Sequence, residues 1–205
     1  HQKPMPRMGG LAIVIGFMFT VLLLYRFVEF GETRKLIGFM IGATMIVVLG
    51  MFDDIYDLRA RFKFFVQILA ALVAIMSGIQ IHVVMWPVTK ALTYLSVPIT
   101  LLWIVGVTNA VNLIDGLDGL AGGVTMIVAA FFTIICIAAE KGISPCVSAA
   151  VVGALLAFLV FNAYPAKVFM GDTGSLALGG FVAGTAYMMQ MPLYIIIVGF
   201  IYLVE

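Results

Sequence analysis

Eight apolar runs dominate this 205-residue sequence, and most approach the length of a helix that crosses a bilayer. Such a helix needs about 20 mostly apolar residues, with a range of roughly 17–25. Apolar residues make up 64% of the chain and charged residues 10%, whereas soluble domains have about 45–50% and about 25%. We therefore predict an all-α, polytopic integral membrane protein forming one domain, 1–205. Its about eight transmembrane helices would be 9–25, 36–52, 64–81, 97–114, 120–139, 145–164, 175–191 and 192–204.

The acidic residues divide unevenly between the two sets of inter-helix segments. We place alternate segments on opposite sides of the membrane. One side, the aspartate side, then receives every aspartate, and the other side receives Glu29, Glu32 and Glu140 but no aspartate. Lysine and arginine are spread almost evenly, so the positive-inside rule does not decide the orientation. We take the aspartate side as the candidate functional side, because all six aspartates of the chain lie there. They are Asp53, Asp54, Asp57, Asp115, Asp118 and Asp172.

This clustering of carboxylates favours a bound divalent cation. Ionisable groups at membrane depth cost a few kcal/mol or more each, and few basic residues are close enough in sequence to neutralise all six. Oxygen ligands favour Mg²⁺, or Mn²⁺, over zinc. Glycines in DGLDGLAGG and MGDTGS allow a close approach of the backbone to a ligand. Helices opening at Leu120 or Ser175 would also offer N–H groups to phosphate oxygens. A net charge of +1 argues against nucleic acid as a partner.

Four stretches carry a resemblance to a known family: HQKPMPRMGG, GMFDDIYDL, TNAVNLIDGLDGLAGG and FNAYPAKVFMGDTGSLALGG. In order and spacing, the chain resembles the polyprenyl-phosphate N-acetylhexosamine-1-phosphate transferases. That resemblance implies an Mg²⁺-dependent enzyme of the bacterial plasma membrane with its site facing the cytoplasm. The partners would be a UDP-N-acetylhexosamine, undecaprenyl phosphate and membrane lipids, and a homodimer is left open. A sugar-1-phosphate would pass from the UDP-sugar to the lipid phosphate, releasing UMP.

The same resemblance implies a role for each candidate residue. Asn112 and Asp172 are the expected Mg²⁺ ligands. Asp53 or Asp54 would handle the lipid phosphate as a base, and Asp115 and Asp118 would shape the nucleotide and metal site. Lys63 would contact phosphate, while Asn162 and Phe169 would line a uridine pocket. The full set of expected substrate-binding residues is Lys3, Asp57, Lys63, Asn109, Asn162 and Phe169.

The donor sugar and the extent of the protein are less directly indicated. The N-terminal signature and Asp57 resemble the branch that uses UDP-GlcNAc, which we favour. The stretch 162–180 looks closer to the branch that makes peptidoglycan lipid I from UDP-MurNAc-pentapeptide. The family completes its catalytic set with a His-rich loop, whereas the histidines here are His1 and His82. Because the chain begins with His1 and stops at Glu205, we expect a piece of a longer protein with little activity by itself.

Other classes of protein fit the sequence less well. An ion-coupled transporter would place its carboxylates near the midplane and often show a repeated half. A CDP-alcohol phosphotransferase would share Asp115, Asp118 and Gly119, but the Ala-Arg pair and two further aspartates of that motif are missing. An intramembrane aspartyl protease would need a second glycine before Asp172 and would leave four aspartates unexplained. A purely structural membrane protein would not need six aspartates on one face.

Overall fold

Seven α-helices form the part of the chain that the computed structural model describes, which is residues 6–27, 32–80, 90–138, 144–189, 200 and 202. The prediction of an all-α fold is confirmed. The helices are α1 (Gly9–Leu24), α2 (Thr33–Tyr56), α3 (Ala60–Met76), α4 (Lys90–Leu113), α5 (Leu120–Ala138), α6 (Ser144–Asn162) and α7 (Gly171–Met188).

Four of the described helices are long and apolar enough to cross a membrane: Thr33–Tyr56, Leu95–Leu113, Leu120–Ala138 and Pro145–Asn162. Helix α1 is also apolar but shorter, with 16 residues. The membrane class is therefore supported, whereas the predicted number of about eight spans is not confirmed. Apart from positions 200 and 202, the predicted eighth span, 192–204, lies outside the described residues.

Four of the segments outside the helices meet at one end of the bundle, which we call the polar end. It comprises residues 6–8, the α2–α3 connection 57–59, the α4–α5 turn 114–119 and the α6–α7 loop 163–170. Backbone hydrogen bonds join the first and last of these: Phe169 N–H donates to Pro6 C=O over 2.9 Å, and Gly9 N–H to Phe169 C=O over 3.0 Å. The predicted grouping of these segments on one side is confirmed for the described residues.

Helix α7 lies at the centre of the bundle and packs against α1, α2 and α4. Its side chains are buried almost continuously from Thr173 to Tyr187. Small residues let its neighbours approach closely, as is common between membrane helices. A Cβ atom on Gly50 of α2 would lie 2.5 Å from the Cα of Thr173, and one on Gly10 of α1 would lie 2.2 Å from the nitrogen of Gly174. These contacts hold the first turn of α7 against two helices.

Several helix boundaries differ from the prediction by three to seven residues, and two of these differences concern acidic residues of the candidate site. Helix α2 continues to Tyr56, four residues beyond the expected end, and stops where Asp57 adopts a left-handed conformation with φ 49°. Helix α7 begins at Gly171, four residues before the expected start. Asp53, Asp54 and Asp172 therefore lie on helical turns rather than in loops, which fixes the directions of their side chains.

Candidate active site

A cavity of about 560 Å³ opens at the polar end, and we call it the acidic cavity. Its walls come from the end of α2, the end of α4, the α4–α5 turn and the start of α7, with residues 7 and 169 added from the segments joined by backbone hydrogen bonds. The structure thus brings together seven of the predicted site residues. The lining residues are Arg7, Asp53, Asp54, Ile55, Asp57, Asn112, Asp115, Gly116, Leu117, Phe169, Gly171 and Asp172.

Asp53 is the most deeply buried of the lining carboxylates, with 5% of the residue exposed. Its Oδ2 lies 2.5 Å from Lys63 Nζ, and its Oδ1 accepts a hydrogen bond of 2.9 Å from the backbone N–H of Leu58. A buried carboxylate needs such partners, because an unpaired charge in a protein interior is very costly. Lys63 also lies 3.6 Å from Asp172 Oδ2, so one ammonium group joins the ends of α2 and α7.

Asp54 follows directly in sequence but points toward the first turn of α7. Its Oδ1 accepts a hydrogen bond of 2.8 Å from the N–H of Asp172. Its Oδ2 accepts bonds of 2.9 Å from Thr173 N–H and 2.6 Å from Thr173 Oγ1. A carboxylate at a helix N-terminus satisfies free backbone donors and interacts favourably with the helix dipole. The sequence predicted that this helix would begin at Ser175 and offer its first N–H groups to phosphate. In the structure the helix begins at Gly171, and the N–H groups of residues 172 and 173 donate to Asp54 instead.

Asn112 links the last turn of α4 to the first turn of α7. Its Nδ2 donates to Asp172 Oδ1 over 2.8 Å and to Ser175 Oγ over 2.7 Å. The amide group can offer a cation only its carbonyl oxygen, because the nitrogen is a donor. Asn112 and Asp172, which were predicted as a pair of metal ligands 60 positions apart in sequence, are thus in direct contact.

Asp115 lies in the α4–α5 turn and is partly buried. Burial, together with the negative charges of Asp172 and Asp54, raises the pKa of this carboxyl to about 7. Desolvation and neighbouring like charges both disfavour the ionised form of an acid. A cation in the acidic cavity would relieve both effects, so the excess of negative charge around Asp115 favours a bound metal ion.

The donor atoms in the acidic cavity fit Mg²⁺ in their chemistry. Carboxylate oxygens of Asp115 and Asp172 and the amide oxygen of Asn112 are hard ligands of the kind that Mg²⁺ and Mn²⁺ prefer. Within the described residues, no group of three or more His, Cys, Asp or Glu side chains is arranged to hold a metal by itself. Mg²⁺ usually binds through one or two carboxylates together with substrate phosphates and water. Asp172 and Asn112 could therefore hold the ion jointly with a phosphorylated substrate.

Asp118 and Asn162 lie outside the lining of the acidic cavity and join the α4–α5 turn to the α6–α7 loop. Asp118 Oδ2 accepts a 2.9 Å hydrogen bond from Ala166 N–H. Asn162, only 3% exposed, accepts from Gly119 N–H over 3.0 Å and donates to Val168 C=O over 2.9 Å. We call these five residues the turn–loop contact. The predicted substrate roles of Asp118 and Asn162 stay predictions, while their observed contacts are to the backbone of the protein.

The remaining predicted residues occupy three different settings. Asn109 pairs with Gln67 of α3, its Nδ2 donating to Gln67 Oε1 over 2.6 Å, and lies outside the lining of the acidic cavity. Phe169 and Asp57 line that cavity, and Lys63 reaches it through Asp53. Lys3 lies outside the described residues.

The site predictions omitted Arg7, which lines the acidic cavity. The available signal was its place in the signature HQKPMPRMGG, two residues before the start of α1. They also omitted Gly171, which has a φ of 67° and whose lack of a side chain leaves room for the Asp54 carboxylate at the start of α7. A glycine directly before an aspartate at a helix start was the signal for this position.

The fold and the site together define an integral membrane protein with a carboxylate-lined cavity at one end of its helical bundle. Residues 36–190 match the family model described as Glycosyl transferase family 4, which covers more than half of the chain. The chain therefore belongs to glycosyl transferase family 4, and the predicted family is confirmed.

Curated relatives in this family carry two kinds of name. A protein of Bacillus subtilis (strain 168), named "Probable undecaprenyl-phosphate N-acetylglucosaminyl 1-phosphate transferase", is 42% identical over 87% of this chain and 50% of its own length. A phospho-N-acetylmuramoyl-pentapeptide-transferase of Acetivibrio thermocellus is 40% identical over 98% of this chain and 64% of its own length. One of Clostridium beijerinckii is 40% identical over 100% of this chain and 67% of its own length. The chain thus spans half to two thirds of the length of these relatives.

Proposed function

We propose that the protein containing this chain transfers an N-acetylhexosamine-1-phosphate from a UDP-sugar to undecaprenyl phosphate in an Mg²⁺-dependent reaction. The observation that carries the proposal is the contact between Asn112 and Asp172 in a cavity with four further aspartates, at one end of an apolar bundle. A lipid phosphate and a nucleotide diphosphate can meet at such an interface, with the apolar chain of the lipid among the helices. Membership of glycosyl transferase family 4 supports the reaction class.

In the proposed reaction, an oxygen of the lipid phosphate attacks the β-phosphorus of the UDP-sugar. The bond from that phosphorus to the oxygen bridging to the α-phosphate breaks, and UMP leaves. Bound Mg²⁺ would neutralise charge on the diphosphate during this step. Asn112 and Asp172 would hold the ion, and Asp115 would add negative charge beside it. Positioning and charge stabilisation of this kind supply most of the rate in phosphoryl transfer.

Asp53 is the residue that we propose for the acceptor phosphate, either as its base or as its orienting partner. It lines the acidic cavity, and Lys63 Nζ lies 2.5 Å from its Oδ2. The ammonium group would also attract a phosphate to this wall of the cavity. Asp54, the other candidate from the sequence, accepts hydrogen bonds through both of its oxygens from the start of α7.

We favour UDP-GlcNAc as the donor, and UDP-MurNAc-pentapeptide is the alternative. Arg7 and Asp57 belong to the two stretches that resemble the UDP-GlcNAc branch, and both line the acidic cavity, where they can contact a donor. The alternative is supported by relatives named phospho-N-acetylmuramoyl-pentapeptide-transferase that match 98–100% of the chain. In either case we propose a bacterial plasma membrane protein whose polar end faces the cytoplasm, where UDP-sugars are available.

The test uses membranes containing the full-length protein, undecaprenyl phosphate and radiolabelled UDP-GlcNAc or UDP-MurNAc-pentapeptide, with Mg²⁺ or EDTA. Mg²⁺-dependent label in the lipid phase supports the reaction, and the donor that supplies it identifies the branch. Asp172→Ala and Asn112→Ala should each lower turnover at least about 10³-fold, since metal and substrate positioning carry the catalysis.

The matched control is Glu32→Gln, which alters a carboxylate paired with Lys35 at the opposite end of α2. It should keep turnover within about twofold of wild type, because the Glu32 carboxylate is exposed to solvent and lies far from the acidic cavity. Near-normal turnover of Asp172→Ala would remove the metal assignment. No product from either donor, with folded protein, would favour a CDP-alcohol phosphotransferase or a transporter.

A further inference from the structure

We infer that Asp54 is a positioning residue, which holds the first turn of α7 so that Asp172 and Asn112 face the acidic cavity together. The inference rests on the proposed function in one respect, namely that Asp172 and Asn112 are the ligands of Mg²⁺. It assigns to the second aspartate of the Asp53-Asp54 pair a role that differs from proton transfer or contact with the lipid phosphate.

The first observation is the complete use of the Asp54 carboxylate within the protein. Oδ1 accepts from Asp172 N–H, and Oδ2 accepts from both the N–H and the Oγ1 of Thr173, over 2.6–2.9 Å. The Asp172 N–H belongs to the same residue whose carboxylate reaches Asn112 and Lys63. Asp54 therefore binds the backbone of Asp172 directly to the end of α2.

The second observation is the space that Gly171 leaves for this contact. A Cβ atom at position 171 would lie 2.8 Å from each of the two Asp54 oxygens and 2.7 Å from the carbonyl oxygen of Arg7. The φ of Gly171 is also 67°, a conformation that residues with a side chain rarely adopt. The chain thus combines a glycine and an aspartate so that a carboxylate from α2 can reach the amides of α7.

The third observation is the different setting of the neighbouring Asp53. Its carboxylate contacts Lys63 Nζ and the N–H of Leu58, and it reaches α7 through the side chain of Asp172 rather than through backbone N–H groups. Asp53 therefore places charge beside the side chain of Asp172, whereas Asp54 binds the backbone of α7 across 118 positions of sequence. Removing Asp54 should loosen the alignment of the metal ligands by freeing the backbone of Asp172.

The experiment compares variants of the purified full-length protein in detergent by two measurements. The first is the rise in thermal midpoint on adding Mg²⁺, which reports metal binding without turnover. The second is the Mg²⁺ concentration giving half-maximal transfer. The variants are Asp54→Asn, which places an amide NH₂ against N–H donors, and Thr173→Val, which removes only the Oγ1 bond to Asp54. Thr173→Ser keeps that hydroxyl and serves as the rescue.

The matched control is Thr133→Val, whose hydroxyl donates within α5 to Ala129 C=O. We expect the half-maximal Mg²⁺ concentration to rise about tenfold in Asp54→Asn and about threefold in Thr173→Val. The Mg²⁺-induced midpoint shifts of both variants should be smaller than that of wild type. Removing a supporting residue behind a metal ligand typically costs 10–100-fold in affinity or activity. Thr173→Ser and Thr133→Val should match wild type.

Two outcomes would overturn the inference. One is an Asp54→Asn protein that binds Mg²⁺ like wild type but has lost turnover, since Asp54 would then act directly on a substrate. The other, which decides the matter if Asp54→Asn does not fold, is a Thr173→Val protein that equals wild type in both measurements. If the wild type shows no transfer, the Mg²⁺-induced midpoint shift still tests the positioning role, so failure of the proposed function is distinguishable.

Discussion

The polar end contains two regions that use the same residue types in opposite ways. The first region lies at the ends of α2, α4 and α7, where Asp53, Asp172 and Asn112 line the acidic cavity. Their side chains are linked, because Lys63 lies between Asp53 and Asp172 and Asn112 donates to Asp172. In the second, the turn–loop contact, Asp118 binds the backbone of the α6–α7 loop, and Asn162 binds the backbone of both that loop and the α4–α5 turn. The first region presents charge to the acidic cavity, and the second holds the loop that leads to Asp172.

The difference between the regions shows that an acidic or amide side chain near a glycine-rich turn has two distinct uses. A carboxylate that accepts from backbone N–H groups stabilises the chain locally, because it satisfies donors that would otherwise be unpaired. A carboxylate that faces a cavity among like charges is held in an unfavourable setting, which is characteristic of functional sites. Three predictions test this division, beginning with the largest expected effect.

Replacing Lys63 should damage the first region most. In Lys63→Met, Asp53 loses its ammonium partner, which leaves a nearly inaccessible carboxylate unpaired. Breaking one partner of a buried pair costs about 3–5 kcal/mol, so we expect a lower thermal midpoint as well as a loss of turnover of at least about 100-fold. Lys63→Arg, which keeps the charge, should lose less of both.

The matched control is Lys35→Met, which breaks a lysine–glutamate pair at the start of α2. Lys35 lies 21 residues before the end of the same helix at Tyr56, or about 32 Å at 1.5 Å per residue. This variant should leave transfer unchanged. Equal losses of transfer in both lysine variants would mean that Lys63 acts through the overall stability of the protein. The proposed direct role of the first region in transfer would then be wrong.

Replacing Asn162 should affect the second region through stability. Asn162→Leu removes the partners of Gly119 N–H and Val168 C=O, and each buried group left unpaired costs about 1–3 kcal/mol. We expect a lower thermal midpoint and a roughly tenfold loss of turnover, because the α6–α7 loop carries Phe169 toward the cavity. A variant with the midpoint of wild type and no turnover would instead support the predicted contact between Asn162 and uridine.

The smallest expected effect concerns Asp115 and pH. Its carboxyl ionises near pH 4 in the unfolded chain, and burial together with Asp172 and Asp54 raises its pKa to about 7 in the folded protein. Ionisation therefore favours the unfolded state. The stability that the protonated Asp115 carboxyl contributes is present below about pH 4 and is lost progressively as pH rises to about 7. Because Asp115 is partly exposed, we discount the effect to about 1–2 kcal/mol.

Thermal unfolding in EDTA measures this effect. Asp115→Asn should have a higher midpoint than wild type at pH 8, by a few degrees at about 2–4 °C per kcal/mol. The two proteins should agree near pH 4, and Mg²⁺ at pH 8 should reduce the difference between them. A gap of the same size at both pH values would show that the change acts through packing rather than through the charge of Asp115.

Hydropathy predicted the described helices to within a few residues at most boundaries. A helix in a bilayer must satisfy its backbone hydrogen bonds internally and be apolar over its whole length, so the apolar run marks the helix. It was less accurate where a helix continues into polar sequence. The carboxylates of Asp53, Asp54 and Asp172 lie on such turns, at the end of α2 and the start of α7. Glycine and aspartate at these positions are also typical of loops, so local sequence could not distinguish a loop from a helix start supported by a distant side chain.

The sequence by itself determined the membrane class, the grouping of the polar segments and the membership of the acidic cavity by most of its predicted residues. Apolar length and the segregation of charge carry that information, because they depend on composition along the chain. Only the tertiary structure decided which side chains face the cavity. Asp54 and Asp118 bind backbone amides 118 and 48 positions away, and partners at such distances are brought into contact only by the packing of the helices.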